Sequence, residues 1–163
     1  DVLVGYKSDG FHANGWSLCR RILSEHGLEF SAEEIQSMLA PTRLYHDVTN
    51  ALKASGVKPK AFAHITGGGL TENLPRVLPD GMGAAVDLNA WKLPPVFKWL
   101  AQVGGIVETE MLKTFNAGIG MVLVVDADRA AALTDVLTQA GETVYALGHV
   151  TEQAGMAYSG SLK

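Results

Sequence analysis

The chain has 163 residues, of which 47% are hydrophobic and 18% are charged. This composition is typical of a globular protein and excludes a disordered tail, and the length predicts one domain by the rough prior of about 100–200 residues per domain. Thirteen basic and seventeen acidic residues give a formal net charge of −4. That balance argues against a nucleic-acid-binding protein, because few cations are available to replace those around a phosphate backbone.

Cysteine content and the length of apolar runs indicate the cellular compartment of the protein. The one cysteine, Cys19, excludes an internal disulfide and favours a reducing, cytoplasmic location. No apolar run approaches the ~20 residues of a membrane-spanning helix, so neither a membrane nor a nucleic acid is an expected partner. The opening residues DVLVG lack the basic segment and cleavage site of a secretory signal. They are typical of a strand, and a chain that begins inside a strand is expected to be a fragment of a longer protein.

Hydrophobic periodicity predicts five elements in the first part of the chain. In chain order these are a strand at 1–7, a helix at 16–26 ended by Gly27, a short helix from Ser31, a helix to about Ser55 with Leu44, Val48 and Leu52 on its buried face, and a strand at 60–65. Pro41 separates the two helices that follow Gly27, since proline interrupts helical hydrogen bonding.

The second part of the chain continues this alternation. Its predicted elements are helical turns at 71–78, a strand at 83–88, a helix from Pro94 and Pro95 that buries Val96, Phe97, Leu100 and Ala101, a helix or irregular turn at 107–115, a strand at 121–125, a helix capped by Asp126 or Asp128 and ended by Gly141, and a last strand at 143–150. The polar tail from Thr151 is expected to be frayed. Strands separated mostly by helices predict an α/β fold (α+β in some schemes), with helices layered on a mixed sheet in two or three layers.

Two loops that follow predicted strands are candidates for ligand binding. Loop one comprises residues 8–15 and loop two comprises residues 66–69, Thr66-Gly67-Gly68-Gly69. Glycines let a ligand approach the main chain closely, and exposed amides bind anions. The alternative is a pair of sharp turns without a ligand. Loop two lacks the lysine of a Walker A motif, and Glu72 stands where a dinucleotide fingerprint needs glycine, so no standard nucleotide motif is present.

The histidines do not have metal-ligand spacing. None of the five forms an HxxxH pair or neighbours the cysteine, so no residue is assigned to a metal. His12, in loop one, could donate a hydrogen bond to a phosphate or transfer a proton near neutral pH. The alternative is a loop histidine bonded to backbone. His64 and Cys19 are interpreted as structural, and no GxSxG nucleophile motif is present.

Four segments in order resemble one enzyme family. They are SDGFHANGWSL at 8–18, LAPTRLY at 39–45, HITGGGLTENLPRVLP at 64–79 and MLKTFNAGIGM at 111–121. Together they resemble the C-terminal half of phosphoribosylformylglycinamidine cyclo-ligase, also called aminoimidazole ribonucleotide (AIR) synthetase. The resemblance runs from Asp1 to about Val150 and covers nearly the whole chain.

This resemblance implies a fold and a function. Residues 1–163 would form a single AIR synthetase C-terminal-like domain, without the N-terminal ATP-binding domain. The family enzyme is a cytoplasmic homodimer that uses ATP and Mg²⁺ to close the imidazole ring of formylglycinamidine ribonucleotide in purine biosynthesis, giving aminoimidazole ribonucleotide. ATP and Mg²⁺ are held mostly by the N-terminal domain, so the isolated chain is expected to be inactive.

The resemblance also implies a set of site residues in a cleft facing the N-terminal domain. His12 is the predicted catalytic residue. The predicted contacts to substrate or phosphate are Ser8, Asn14, Gly15, Thr66, Gly67, Gly68, Gly69, Asn73, Arg76 and Asn116. The family usually has serine where Asp9 and Ala13 stand. A carboxylate at Asp9 would repel a phosphate, so its side chain should face away from the ligand, or loop one has a weaker role here.

Two other interpretations remain open. The chain could be a domain of a sister enzyme, similar to selenophosphate synthetase or formylglycinamide ribonucleotide amidotransferase, or a non-catalytic binding module with the same fold. The segments at 41–45 and 114–116 favour the cyclo-ligase, and a substrate panel would separate the enzymes.

Overall fold

The computed structural model describes residues 1–26 and 31–163. Within them, hydrogen-bonded strands and helices alternate along the chain. The strands are β1 Val2–Lys7, β2 Ala61–His64, β3 Gly83–Asp87, β4 Ile119–Val125, β5 Val144–Thr151 and β6 Gly155–Ser159. The helices are α1 Trp16–His26, α2 Ala32–Met38, α3 His46–Ser55, α4 Gly69–Asn73, α5 Pro95–Gly104, α6 Glu108–Thr114 and α7 Ala130–Gln139. Short 3-10 turns follow α4, β3 and β4.

The six strands form one mixed sheet in the order β2-β4-β1-β5-β3-β6. All neighbours are antiparallel except β3 and β6, which are parallel. Because β1 and β2 are both antiparallel to β4, they run in the same direction. The loops that follow β1 and β2 therefore leave the sheet at one edge, where β4 begins.

Strand alternation divides the core between the two faces of the sheet. Leu3 and Val124 belong to a large cluster that also contains buried side chains of α1, α4, α5 and α6. Val4 and Leu123 belong to a smaller cluster with side chains of α3 and α7. Helices thus cover both faces, which confirms the predicted α/β class and selects three layers.

Most predicted elements are confirmed. α1 spans the predicted residues, although its predicted end at Gly27 lies outside the described residues. α5 begins at Pro95 and buries Val96, Phe97 and Leu100. The ambiguous segment at 107–115 is a helix, α6. Cys19 is fully buried in the larger cluster, as the helical spacing predicted.

Two predictions about element ends were wrong. The chain after Thr151 is not frayed: β6 pairs in parallel with β3, and Leu93 donates its amide to the Lys163 carbonyl at 2.8 Å. Leu44 is 86% exposed, because α3 begins only at His46 and Leu44 precedes the helical register that buries Val48 and Leu52.

The predicted cap before α7 is also wrong. A 3-10 turn, Ala127–Arg129, precedes the helix. Asp126, just before this turn, and Arg129, just before α7, make no side-chain capping hydrogen bond. Asp126 instead forms an ion pair with Lys60 at 2.5 Å.

Candidate functional site

Loops one and two meet at the edge of the sheet where β4 begins. Ser8 donates its amide to the Gly118 carbonyl at 2.9 Å, and Ile65 donates to the Gly120 carbonyl at 3.0 Å. Asn14 Nδ2 in loop one donates to the carbonyl of Ile65, the residue just before loop two, at 3.3 Å. The structure therefore brings the two predicted loops together, with the start of β4 and the preceding residues between them.

Asn116 fixes the shape of loop one from beneath. Its fully buried side chain accepts hydrogen bonds at Oδ1 from Ser8 Oγ at 3.0 Å and from the Gly118 amide at 2.9 Å. Its Nδ2 donates to the Gly10 carbonyl at 2.8 Å. Asn116 and Ser8 thus use these polar atoms to hold loop one in place.

Asn73 plays the same part for loop two. Its Nδ2 donates to the carbonyls of Thr66 and Gly67, both at 3.2 Å, and of Gly69 at 2.8 Å. Its Oδ1 accepts from Thr66 Oγ1 at 3.1 Å and from Arg76 at 3.2 Å. One amide group at the end of α4 therefore holds the whole backbone of the glycine loop.

The three glycines of loop two are glycines for different reasons. Gly69 has φ +56, and a Cβ there would overlap the Leu112 carbonyl oxygen. Gly68 has φ +98, and a Cβ would lie 2.8 Å from Glu72 Cβ. Gly67 lies on the surface, and a Cβ added there would have no atom within 4 Å. Packing explains two of the glycines, and only at Gly67 is the space beside the backbone free.

Gly15 and Ala13 lie at the far end of loop one. Gly15 has φ +70, and the Phe115 ring occupies the place of its Cβ, so a larger side chain would not fit at this position. Ala13 and Gly15 also line an open cavity of about 440 Å³ between the start of α1 and α6.

Arg76 pairs with a surface carboxylate, whereas the ring of His64 lies beside the ring of His12. Arg76 is 60% exposed and also pairs with Glu72 at 3.5 Å, so most of its charge faces solvent. His64, interpreted from the sequence as structural, lies beside His12 with their ring centroids 6.4 Å apart. Burial lowers the pKa of His64, which favours its neutral form.

His12 combines burial with a strained backbone. It is 6% exposed and has φ +54, a left-handed conformation that Ala117 alone among the other described non-glycine residues shares. Such a backbone costs a non-glycine residue about 1 kcal/mol or more. The Asp9 amide donates to Nε2 at 3.3 Å, and Trp16 Nε1 donates to the His12 carbonyl at 3.0 Å. His12 Nδ1 is buried and has no hydrogen-bond partner.

A charged cluster that sequence reasoning did not place lies beside loop one. Arg43 pairs with Glu142 Oε1 at 2.7 Å and with Asp9 at 3.6 Å. The Glu142 side chain is only 1% exposed, and burial raises the pKa of its carboxyl while Arg43 opposes that rise. Asp9 is about half exposed and directed toward Arg43.

Tyr45 completes this cluster. Its ring contacts both histidines edge-on, with centroids 6.3 Å from His12 and 5.5 Å from His64. Its hydroxyl is buried against Gly120 without a hydrogen-bond partner, and burial is the main cause that raises its pKa. Arg43 and Tyr45 belong to the segment LAPTRLY, so the signal in the sequence was the motif itself. Glu142 is 99 residues from Arg43, and no local pattern marked it.

Neither a metal centre nor a membrane span is found in the described parts of the chain. Across residues 1–26 and 31–163, no three histidine, cysteine, aspartate or glutamate side chains are grouped so that they could hold a metal ion. Among the same residues, every helix is too short or too polar to cross a bilayer.

Comparison with known families identifies the domain. The family model for the AIR synthase related protein, C-terminal domain, matches residues 1–159. The chain belongs to this family. The mixed sheet with helices on both faces is the fold of an AIR synthase related C-terminal domain, as the resemblance of the four segments implied.

Solved structures share the fold of this AIR synthase related domain at low identity. Thiamine-monophosphate kinase from Stenotrophomonas maltophilia K279a is 15% identical with a TM-score of 0.65, over 100% of this chain and 51% of that one. The hydrogenase maturation protein HypE in complex with ATP is 18% identical with a TM-score of 0.67, over 99% and 50%. T. maritima PurL complexed with FGAR is 14% identical with a TM-score of 0.58, over 97% and 25%. The chain thus spans about half or less of these proteins.

Proposed function

We propose that this AIR synthase related domain forms one wall of the substrate site of an ATP-dependent cyclo-ligase. The enzyme would close the imidazole ring of formylglycinamidine ribonucleotide to give aminoimidazole ribonucleotide, in purine biosynthesis in the cytoplasm. The observation that carries the proposal is the meeting of loops one and two, where Gly67 leaves its backbone open. The four ordered segments that match the cyclo-ligase favour this enzyme over other members of the family.

The ligand chemistry follows from the exposed backbone of loop two. Among the described residues, the amides of Gly67 and Gly68 donate to no backbone carbonyl, and exposed consecutive amides bind phosphate oxygens. His12 belongs to loop one. The hydrogen bond from Asn14 to the Ile65 carbonyl links loop one to the residue just before loop two. The ribose phosphate of the substrate is the group that this arrangement suits best.

The proposed reaction depends on positioning of the substrate and on stabilisation of developing negative charge. Phosphoryl transfer from ATP activates the amide oxygen of the substrate, and the neighbouring amidine nitrogen then displaces that phosphate and closes the ring. Steps of this kind gain most from fixed geometry and from hydrogen bonds to developing negative charge. In this chain, the loop-two amides hold the phosphate end of the substrate, while Asn73 and Asn116 keep both loops in place.

ATP and Mg²⁺ are assigned mainly to an N-terminal domain, and the active enzyme to a homodimer of two-domain chains. HypE was solved with ATP and PurL with FGAR, and these two ligands are of the classes that the cyclo-ligase would use. ATP supplies the phosphoryl group when bound.

A sister enzyme of the same family is the second candidate. It is favoured by the shared fold of thiamine-monophosphate kinase, HypE and PurL, which are different proteins built on a common architecture. A panel of phosphate acceptors, offered to the enzyme reconstituted with an N-terminal domain, separates the candidates. Ring closure of formylglycinamidine ribonucleotide supports the cyclo-ligase, and turnover of another acceptor alone contradicts it.

Gly67→Val tests the site in the reconstituted enzyme. Gly67 has no left-handed φ and no neighbour within 4 Å of an added Cβ, so the fold should tolerate valine while the side chain blocks a phosphate from the amides. We expect ribonucleotide affinity to fall at least about tenfold, the equivalent of about 1.4 kcal/mol, with little change in thermal midpoint. Ala154→Val, in an exposed turn between β5 and β6, is the control. Unchanged affinity in Gly67→Val would contradict a role for loop two.

A further inference from the structure

The hydrogen bond from Asp9 selects one tautomer of the neutral His12 ring. The Asp9 amide can only donate, and it donates to His12 Nε2 at 3.3 Å. An acceptor nitrogen in a neutral imidazole carries no proton, so the proton is on Nδ1. The neutral form is favoured because burial lowers the pKa of His12, and His64 and Arg43 lower it further while Asp9 opposes them.

This tautomer leaves a buried donor without an acceptor. His12 Nδ1 is buried and has no hydrogen-bond partner, and the residue as a whole is only 6% exposed. An unpaired buried donor destabilises the folded state, and the left-handed backbone of the same residue adds to that penalty. Proteins retain such a combination where another group completes it, since native structures pair nearly all buried polar atoms.

None of the described polar groups around His12 accepts a hydrogen bond from its Nδ1. His64 comes from β2, Tyr45 from the start of α3, and Asp9 from loop one itself, with Arg43 behind Asp9. Asp9 is turned toward Arg43, and the Tyr45 hydroxyl is also unpaired. Among the described residues, no group therefore accepts a hydrogen bond from Nδ1.

We infer that His12 acts as a neutral hydrogen-bond donor through Nδ1 to an oxygen of the bound ligand, and that it does not remove a proton. The ligand oxygen belongs to a phosphate or an amide carbonyl, because both accept and both occur in a ribonucleotide substrate. The ligand part of the inference rests on the proposed function, whereas the tautomer does not. Nδ1 has no contact with solvent in this structure, so a neighbouring group must move to admit the oxygen.

Side-chain replacements distinguish donation from proton removal. Asparagine places an N–H near Nδ1 and cannot act as a base, whereas glutamine places its amide near Nε2. A hydrogen bond to a charged acceptor is worth about 1.5–3 kcal/mol, so His12→Ala and His12→Gln should bind the ribonucleotide about 10- to 100-fold more weakly. His12→Asn should stay within a few-fold of the parent in both affinity and turnover. Asparagine also tolerates a left-handed φ, so thermal midpoints are measured for all three variants.

Two measurements test whether His12 donates a hydrogen bond from Nδ1 or removes a proton. In protein labelled with ¹⁵N at histidine, with His12→Gln used for assignment, the His12 signals at neutral pH should be those of a protonated Nδ1 and an unprotonated Nε2. The opposite pattern, or an imidazolium, overturns the inference without touching the proposed function. Ribonucleotide titration follows in the reconstituted enzyme. Activity of His12→Asn as low as that of His12→Ala also overturns the inference, and no binding by the parent enzyme overturns the proposed function and the ligand assigned to Nδ1.

Discussion

Arg43→Met removes the only counter-charge that Glu142 has among the described residues. Arg43 contacts Glu142 Oε1 at 2.7 Å, and methionine keeps much of the apolar length without the charge. The buried carboxylate can then lower its energy by taking up a proton. At pH 7 this costs about 1.36 kcal/mol for each pH unit above the ordinary glutamate pKa of about 4.3. The charge penalty therefore has a ceiling of about 3.7 kcal/mol, within the ~3–5 kcal/mol range for breaking a buried ion pair.

The pH dependence of this penalty has a definite sign. Without Arg43, the pKa of Glu142 in the folded state rises further above its value in the unfolded chain. The folded state then holds more protons than the unfolded state, so the free energy of unfolding falls as pH rises above about 4.3. Urea denaturation should show a loss of about 3 kcal/mol at pH 7 and about 1 kcal/mol at pH 5 relative to the parent protein.

A double-mutant cycle provides the control. Glu142→Gln removes the charge, so adding Arg43→Met to Glu142→Gln should cost no more than about 1 kcal/mol, the range of a half-exposed pair with Asp9. A double variant as unstable as Arg43→Met alone would refute the electrostatic explanation. An equal loss at both pH values would refute it as well and would indicate lost packing instead.

Two further predictions concern the supports of the site. Asn116→Ala should lower the free energy of unfolding by about 3 kcal/mol, because it leaves the Gly118 amide and the Gly10 carbonyl without their buried partner; urea denaturation measures this, and a loss below about 0.5 kcal/mol, typical of surface sites, would contradict it. Gly69→Ala should destabilise the fold by more than about 2 kcal/mol, since it adds a Cβ at φ +56 against a carbonyl oxygen. Gly67→Ala is its matched control and should stay within about 0.5 kcal/mol, so equal losses in the two variants would contradict the packing argument.

The layered fold could be predicted because most elements carry their own periodicity. α1 and α5 have apolar residues at helical spacing, and the structure confirms both. β6 escaped prediction because it is short and half polar, and because its partner β3 lies about 70 residues earlier in the chain. Leu44 was misplaced because spacing alone does not fix where a helix begins.

The candidate site could be predicted only at the level of loops. Glycines after strands mark where backbone is exposed, and the loops do converge. The sequence could not say which polar side chains serve the protein and which serve a ligand. Asn116 and Asn73 use their polar atoms on backbone carbonyls and amides, and this depends on distances that only folding creates. The pairing of Arg43 with Glu142 depends on the fold in the same way.

The side chain of Asn73 affects how loop two responds to a bound ligand. Three carbonyls of the loop accept hydrogen bonds from one amide nitrogen, and among the described residues the amides of Gly67 and Gly68 donate to no backbone carbonyl. A loop tied in this way keeps one shape whether or not anything is bound, so little conformational entropy remains to be lost on association. Binding would then require little rearrangement of the glycines, which keep the shape they already have.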